Sequence, residues 1–344
     1  VIIAVKIVVN NNLIFYFCDY RKKNSELMYQ EKLIQEIQRK IDPAKSLIEV
    51  IAGALDISYD AAHRRISMKS KFSIGETVQL ANRFSLSLDK LFQQSDHILV
   101  KKTPEIQSFN DLSNYLEHSF KSLTEFEPNL QTYLYYSAKD IPIFYTINTG
   151  LLSIFKKYVW LNLLGSDGLE LSFESFLANT PIDGRGQKLH DYYSSIRVKE
   201  IWNDTTINST LQQIIYFSQA GLLTAENGKL LCEQLKELLF SLEKSCVPNN
   251  DQYQLYYHEL LILNNNVLVG NNDRRSLFVP HTMLGYFITN DKDSCQHAFH
   301  FYQHQLKNSR LLNTAGTRDK KMFFNKVYQK IDRYKAQVSV DYEM

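Results

Sequence analysis

Two spacings, Ser46-Leu47-Ile48-Glu49 and Ser73-Ile74-Gly75-Glu76, constrain this chain more than any other feature. A serine followed at the third position by glutamate is a capping box. The hydroxyl accepts the glutamate's backbone N–H, and the carboxylate accepts the serine's. Each spacing predicts a helix start. Between them Ser58, with Asp60 in the first turn, predicts another, because both groups answer the amides that a helix leaves open at its N-terminus. Starts placed so closely leave room only for short helices. Before them, Leu33, Ile34, Ile37 and Ile41 recur at helical spacing until Asp42-Pro43 ends the run. The second helix turns Ile48, Ile51, Ala52 and Leu55 inward, and Asp56 then occupies a sharp bend best suited to glycine. The third is expected from Tyr59 to about Ser67, with Ala62 and Ile66 inward and Asp60, His63, Arg64 and Ser67 outward. In the fourth, Ile74, Val78 and Ala81 form the apolar stripe. Ser87 caps a last short helix that buries Leu88, Leu91 and Phe92.

The formal charge of the whole chain is +2, too small to draw it to a polyanion. Locally the balance differs. Between Ala61 and Gly75 stand Arg64, Arg65, Lys69 and Lys71 without a carboxylate. Two short helices joined by a tight turn make a helix-turn-helix, whose second helix enters the DNA major groove. On that reading Tyr59, Asp60, His63 and Arg64, at the exposed front of the third helix, reach base edges, Arg64 being able to grip guanine with two hydrogen bonds. Ser58, Arg65, Lys69 and Lys71 are the expected phosphate contacts. The bland alternative is a solvated charged face on a short helix.

The order and spacing of "LIEVIAGALDISYDAAHRRI", from Leu47 to Ile66, resemble the helix-turn-helix of Cro and the phage repressors, the XRE class. Small Ala52 where the helices cross, then Leu55, Ile57 and Ser58 across the turn, carry the resemblance, which covers about residues 31–93. It implies a five-helix, lambda-repressor-like DNA-binding domain over 28–97, and a dimer reading two half-sites. Two departures are Asp56 in place of the usual glycine and the spacing of four between Ala62 and Ile66. "ISYDAAHRRI" followed by "SLDKLF" is also similar to BetR-like bacterial regulators, which join this motif to a long helical body.

That body, 98–344, has few breakers: the whole chain holds 12 glycines and 7 prolines. Apolar residues recur three or four apart in "FNDLSNYLEHSFKSLTEF", "GLLSIFKKYVWLNLL", "LHDYYSSIRVKEIW", "STLQQIIYFSQAGLL", "AENGKLLCEQLKELLFSLEK", "SCQHAFHFYQHQLK" and "TRDKKMFFNKVYQKIDRYKAQV". The expectation is therefore a mostly α chain, its body an irregular helical array. One insertion, 259–291, has β-rich runs at Leu260–Leu263, Val267–Val269, Ser276–Val279 and Leu284–Thr289 between asparagine-rich turns, which predicts a small antiparallel meander.

Catalytic signatures are sparse. GxSxG, Walker A, HExxH and GxGxxG patterns do not occur. "DGRGQK", Asp183 to Lys188, lacks the strand and motif a phosphate cradle needs, so it reads as an exposed turn. His297, His300 and His304 share a helix face, but the outer two stand ~10 Å apart along the axis, too far for one zinc. No metal or cofactor is expected, and no enzymatic activity; a metal-dependent enzyme using His300 and His304 is the remotest alternative. The aromatic run "YLYYSAKDIPIFY", Tyr133 to Tyr145, admits either core packing or a groove for a small-molecule or peptide effector. Cys18, Cys232, Cys246 and Cys295 form no CxxC pair, which suits a reducing cytoplasm. Lys6 and Asn10 to Asn12 interrupt the apolar start, so no membrane span is expected there. With Met28 the first methionine, residues 1–27 are expected to be a non-native or disordered extension. The reading is a cytoplasmic, homodimeric regulator of transcription that binds double-stranded DNA; the alternative is a protein-interaction adaptor whose motif no longer does.

Overall fold

The computed structural model describes residues 29–43, 45–88, 91, 98–165, 171–180, 184–260 and 263–338. The predicted extension 1–27 and Phe92 lie outside them. The chain divides into two units, Val1–Leu99 and Val100–Met344.

In the first unit α1 (29–40), α2 (Leu47–Leu55), α3 (Tyr59–Ile66) and α4 (Ile74–Arg83) close on one core. Leu33, Ile37, Ile51, Leu55, Ala62 and Leu80 are its buried members, and Leu88 and Leu91 pack against it. Asp56 ends α2 in the left-handed conformation, φ 54 and ψ 50, a geometry that costs a non-glycine residue about 1–2 kcal/mol. The turn it makes lets α3 fold back across α2. Two details differ from expectation. Ser46 caps α2 through its backbone only, without the side-chain hydrogen bond of a capping box. On α4, Ile74 and Val78 are exposed, whereas Leu80 and Ala81 are buried; α4 is rotated so that its inner stripe begins a turn later.

The second unit overturns the expectation of a helical body with a small meander. It is built on an eight-stranded mixed sheet in the order β1-β7-β6-β5-β2-β3-β4-β8. The strands are β1 (Lys101–Lys102), β2 (Tyr133–Ser137), β3 (Arg197–Trp202), β4 (Tyr253–Tyr257), β5 (Val267–Gly270), β6 (Arg275–Pro280), β7 (Tyr286–Thr289) and β8 (Arg310–Leu311). β2, β3 and β4 run parallel, and β5 returns antiparallel on the other side of β2. The predicted meander is β5, β6 and β7, three of the eight strands of this sheet; Leu260 and Leu263 lie outside any strand. Of the other five, the parallel strands β2, β3 and β4 hid for a physical reason. Parallel strands covered on both faces lack the polar–apolar alternation of a half-buried strand, and "RVKEIW" directly follows a helical run, so it read as its continuation.

The helices are α5 (Phe109–Leu123), α6 (Leu151–Leu164), α7 (Phe173–Asn179), α8 (Arg185–Ser195), α9 (Asn208–Gln219), α10 (Ala225–Ser245), α11 (Lys292–Lys307) and α12 (Thr317–Val338). Alternate residues of the strands feed two cores. Leu134, Tyr136, Val198, Trp202 and Leu255 join the large core with α5 to α10 and α12. Tyr133, Tyr135, Ile201 and Leu268 face the other way, under Tyr302 and Leu306 of α11. The edges β1 and β8 are two residues each, the short ends by which sheets avoid pairing with other chains. No helix among the described residues is long and apolar enough to cross a membrane.

Candidate nucleic-acid interface

Three features hold α3 in place. The Ser58 hydroxyl accepts the Ala61 N–H at 3.3 Å and fixes the start of the helix. Ala62, fully buried, lets α3 lie close on its neighbours. At the far end Met68 takes a left-handed φ of 60°, and the turn it starts is pinned by Gln30 of α1. The Gln30 amide donates to the Arg65 carbonyl at 2.8 Å and the Ser70 carbonyl at 2.9 Å, while its oxygen accepts the Phe72 N–H at 3.1 Å. This clamp spans about forty residues of sequence, and no local pattern announces it.

With its inner face committed, α3 turns Tyr59, Asp60, His63, Arg64 and Ser67 outward, all exposed. Tyr59 is 54% exposed although it is a large aromatic residue. Eight residues at 1.5 Å each make a rod ~12 Å long, and the ~10–12 Å diameter of a helix with its side chains suits the ~12 Å width of a major groove. Ser58, Lys69 and Lys71 flank it, also exposed; the Ser58 oxygen receives the cap, but its O–H remains able to donate to a phosphate.

Arg65 departs from the expected phosphate contact. Its Nη2 meets Glu76 Oε1 at 2.6 Å and its Nε meets Oε2 at 3.2 Å, while Nη1 donates to the Ala61 carbonyl at 3.1 Å. The guanidinium is turned into the fold and ties α3 to α4. Glu76 serves twice, since its Oε2 also accepts the Ser73 N–H at 2.7 Å in the predicted capping box, which is fully formed. Burial raises the Glu76 carboxyl, but the Ser73 amide and the bonds and charge of Arg65 outweigh it and hold it below the usual carboxylate range. Counting charges between Ala61 and Gly75 missed this pairing by one residue. Arg64, Lys69 and Lys71 remain at the surface as the local positive field.

Elsewhere the candidate chemistry disperses. The His300 ring meets the Gln296 amide and the His304 ring that of Asn308; among the described residues no three His, Cys, Asp or Glu converge as metal ligands. Gly184 and Arg185 form the start of α8. Burial pushes the Cys232 thiol up to about 11 and the Cys246 thiol up to about 12, so neither is a ready thiolate. Of the aromatic run, Tyr133 and Tyr135 stack at 5.0 Å beneath α11, and Asp140-Ile141-Pro142 follows the end of β2. The chain matches no protein-family profile, no curated protein and no solved structure.

Proposed function

We propose that the chain is a sequence-specific DNA-binding regulator of transcription, with α3 lying in the major groove and a homodimer spanning two half-sites. The observation that carries this reading is the division of α3. Its Ala62 face is sealed in the core while Tyr59, Asp60, His63 and Arg64 form a continuous exposed front. A helix serving stability alone has no need of an exposed tyrosine beside arginine and histidine, and those groups suit base edges. Lys69 and Lys71 supply phosphate contacts beside it, whereas Arg65 supports the helix from behind.

The test is fluorescence anisotropy of a labelled random-sequence duplex across a salt series, followed by selection from a randomised pool. Log affinity is expected to fall linearly with log salt, and Lys69→Ala to make the slope shallower by about 0.9, the share of one phosphate. Affinity indifferent to salt, or a pool from which no sequence is enriched, would overturn the proposal in favour of an adaptor.

A further inference from the structure

β2 is the strand at which the order of the sheet reverses: β3 and β4 follow on one side, β5, β6 and β7 on the other. In open parallel α/β sheets, ligands bind beyond the carboxyl ends of the strands at such a reversal; here β5 runs antiparallel to β2, so the corresponding crevice lies at the carboxyl end of β2 and the amino end of β5. In this unit a cavity of about 480 Å³ is walled by Lys139 to Ile141, which follow β2, and by α6, α9 and the turn between β6 and β7. Small-molecule sites run from roughly 300 to 1,000 Å³.

Two groups in the wall have no evident purpose in folding. Lys156 lies in the apolar helix α6 with its side chain 1% exposed. Its Nζ donates to Asp140 Oδ2 at 3.0 Å, Gln213 Oε1 at 3.0 Å and Thr210 Oγ1 at 3.3 Å. A buried ion pair of this kind stabilises a fold no better, on average, than apolar residues of the same volume. Nε2 of His281 is buried and has no hydrogen-bond partner among the described residues, a costly state for a nitrogen able to donate or accept. A ligand atom bonded there would remove that cost.

The lining also sets the ligand's character. Lys139 and Lys156 face the cavity against one carboxylate, Asp140, leaving an excess of positive charge. The ring of Trp160 lies 5.9 Å from Lys156 Nζ. Tyr115, Tyr136 and Tyr286 line both this cavity and a smaller, apolar recess. Flat aromatic walls beside a cationic rim fit a ring that carries an anionic group.

We propose that this cavity binds a small aromatic carboxylate, its ring against Trp160 and the tyrosines, its carboxylate accepting from His281 and Lys139 in the field of Lys156. Asp140, fixed by Thr210 and by the Ile141 N–H, positions the lysine. The inference does not depend on DNA binding, and its test contains no DNA.

The test is ligand-observed NMR and calorimetry on the full chain with benzoate, phenylacetate and indole-3-acetate, each beside its carboxamide. At least one carboxylate is expected to bind with Kd below about 1 mM and its amide about tenfold more weakly, the worth of a charge-assisted hydrogen bond. Lys156→Met keeps the volume and is expected to abolish binding. Should that variant not fold, two others decide. His281→Phe retains the stack on Phe287, 4.2 Å between ring centroids, and removes Nε2; Lys139→Ala changes an exposed side chain. Each is expected to weaken binding about tenfold. Failure of all three carboxylates, amides binding as tightly as acids, or His281→Phe and Lys139→Ala leaving affinity unchanged would overturn the proposal.

Discussion

Glu76, opening α4 in the first unit, and Glu200, in the middle of β3 in the second, are both glutamates gripped by several donors, and they behave as opposites. Glu76 is met by a guanidinium and a backbone amide, all within eleven residues of it. Glu200 is completely buried. It accepts from the Tyr145 hydroxyl at 2.6 Å, the Trp202 Nε1–H at 2.7 Å, the Tyr253 hydroxyl at 3.1 Å and the Tyr193 hydroxyl. None of these donors carries a charge. Burial therefore pushes the Glu200 carboxyl above the usual carboxylate range, and the four bonds pull it only part of the way back. The first glutamate is a local device announced by its spacing. The second depends on partners up to 55 residues away, so what it does is settled by the sheet and not by its neighbours in sequence.

The comparison is broken most directly by removing both carboxylates. Glu200→Leu leaves three phenols and an indole N–H without this acceptor, at about 1–3 kcal/mol for each group left unsatisfied. Urea denaturation followed by tryptophan fluorescence reads the second unit, since both tryptophans of the chain, Trp160 and Trp202, lie there. Glu76→Ala loses a helix cap and a partly exposed ion pair, together about 1–2 kcal/mol, measurable as faster amide exchange in α4. Equal losses at the two sites would erase the distinction.

A smaller effect sharpens it through pH, and the two signs differ. Glu200, with its folded pKa raised, keeps more protons in the folded than in the unfolded state. Its contribution is complete below the usual carboxylate range and is lost as pH rises through the raised value. Glu76, with its folded pKa lowered, contributes above the usual carboxylate range and loses that contribution as pH falls through the depressed value. Glu200→Gln removes the first dependence. The stability of wild type relative to this variant is expected to rise as pH falls from above the raised value toward the usual carboxylate range, by at most about 1.4 kcal/mol per pH unit. A difference that stays flat across that range would mean that Glu200 does not titrate as its burial demands.

The same contrast explains what the sequence could disclose. Caps at Ser58 and Ser73, the left-handed bend at Asp56 and the inward Ala62 are i-to-i+4 physics, and each stands where spacing placed it. Gln30 and the Arg65–Glu76 pair were illegible because helices must already be packed before those atoms meet. In the second unit, helices with apolar stripes were legible from their period. β3 was not, since a strand holding Arg197, Lys199 and Glu200 resembles a charged helix face until tyrosines from α8, β4 and the turn after β2 are brought around Glu200. Lys156 and Asp140, sixteen residues apart, likewise acquire their relation only through tertiary packing.

The smallest expected effect on stability falls where the proposed function is concentrated. Arg64 is exposed on the outer face of α3, and surface substitutions away from caps and networks change stability by no more than about 0.5 kcal/mol. Arg64→Ala should therefore leave urea and thermal unfolding of the chain at the wild-type values, unlike either glutamate variant. If its guanidinium reads a base, the same substitution removes about 1–3 kcal/mol of discrimination, seen as relaxed preference at one base pair of the sequences selected by wild type. The two measurements work only together. Lost stability would make Arg64 a second Arg65, a brace mistaken for a reader; intact stability with intact preference would make the front of α3 no more than a solvated face.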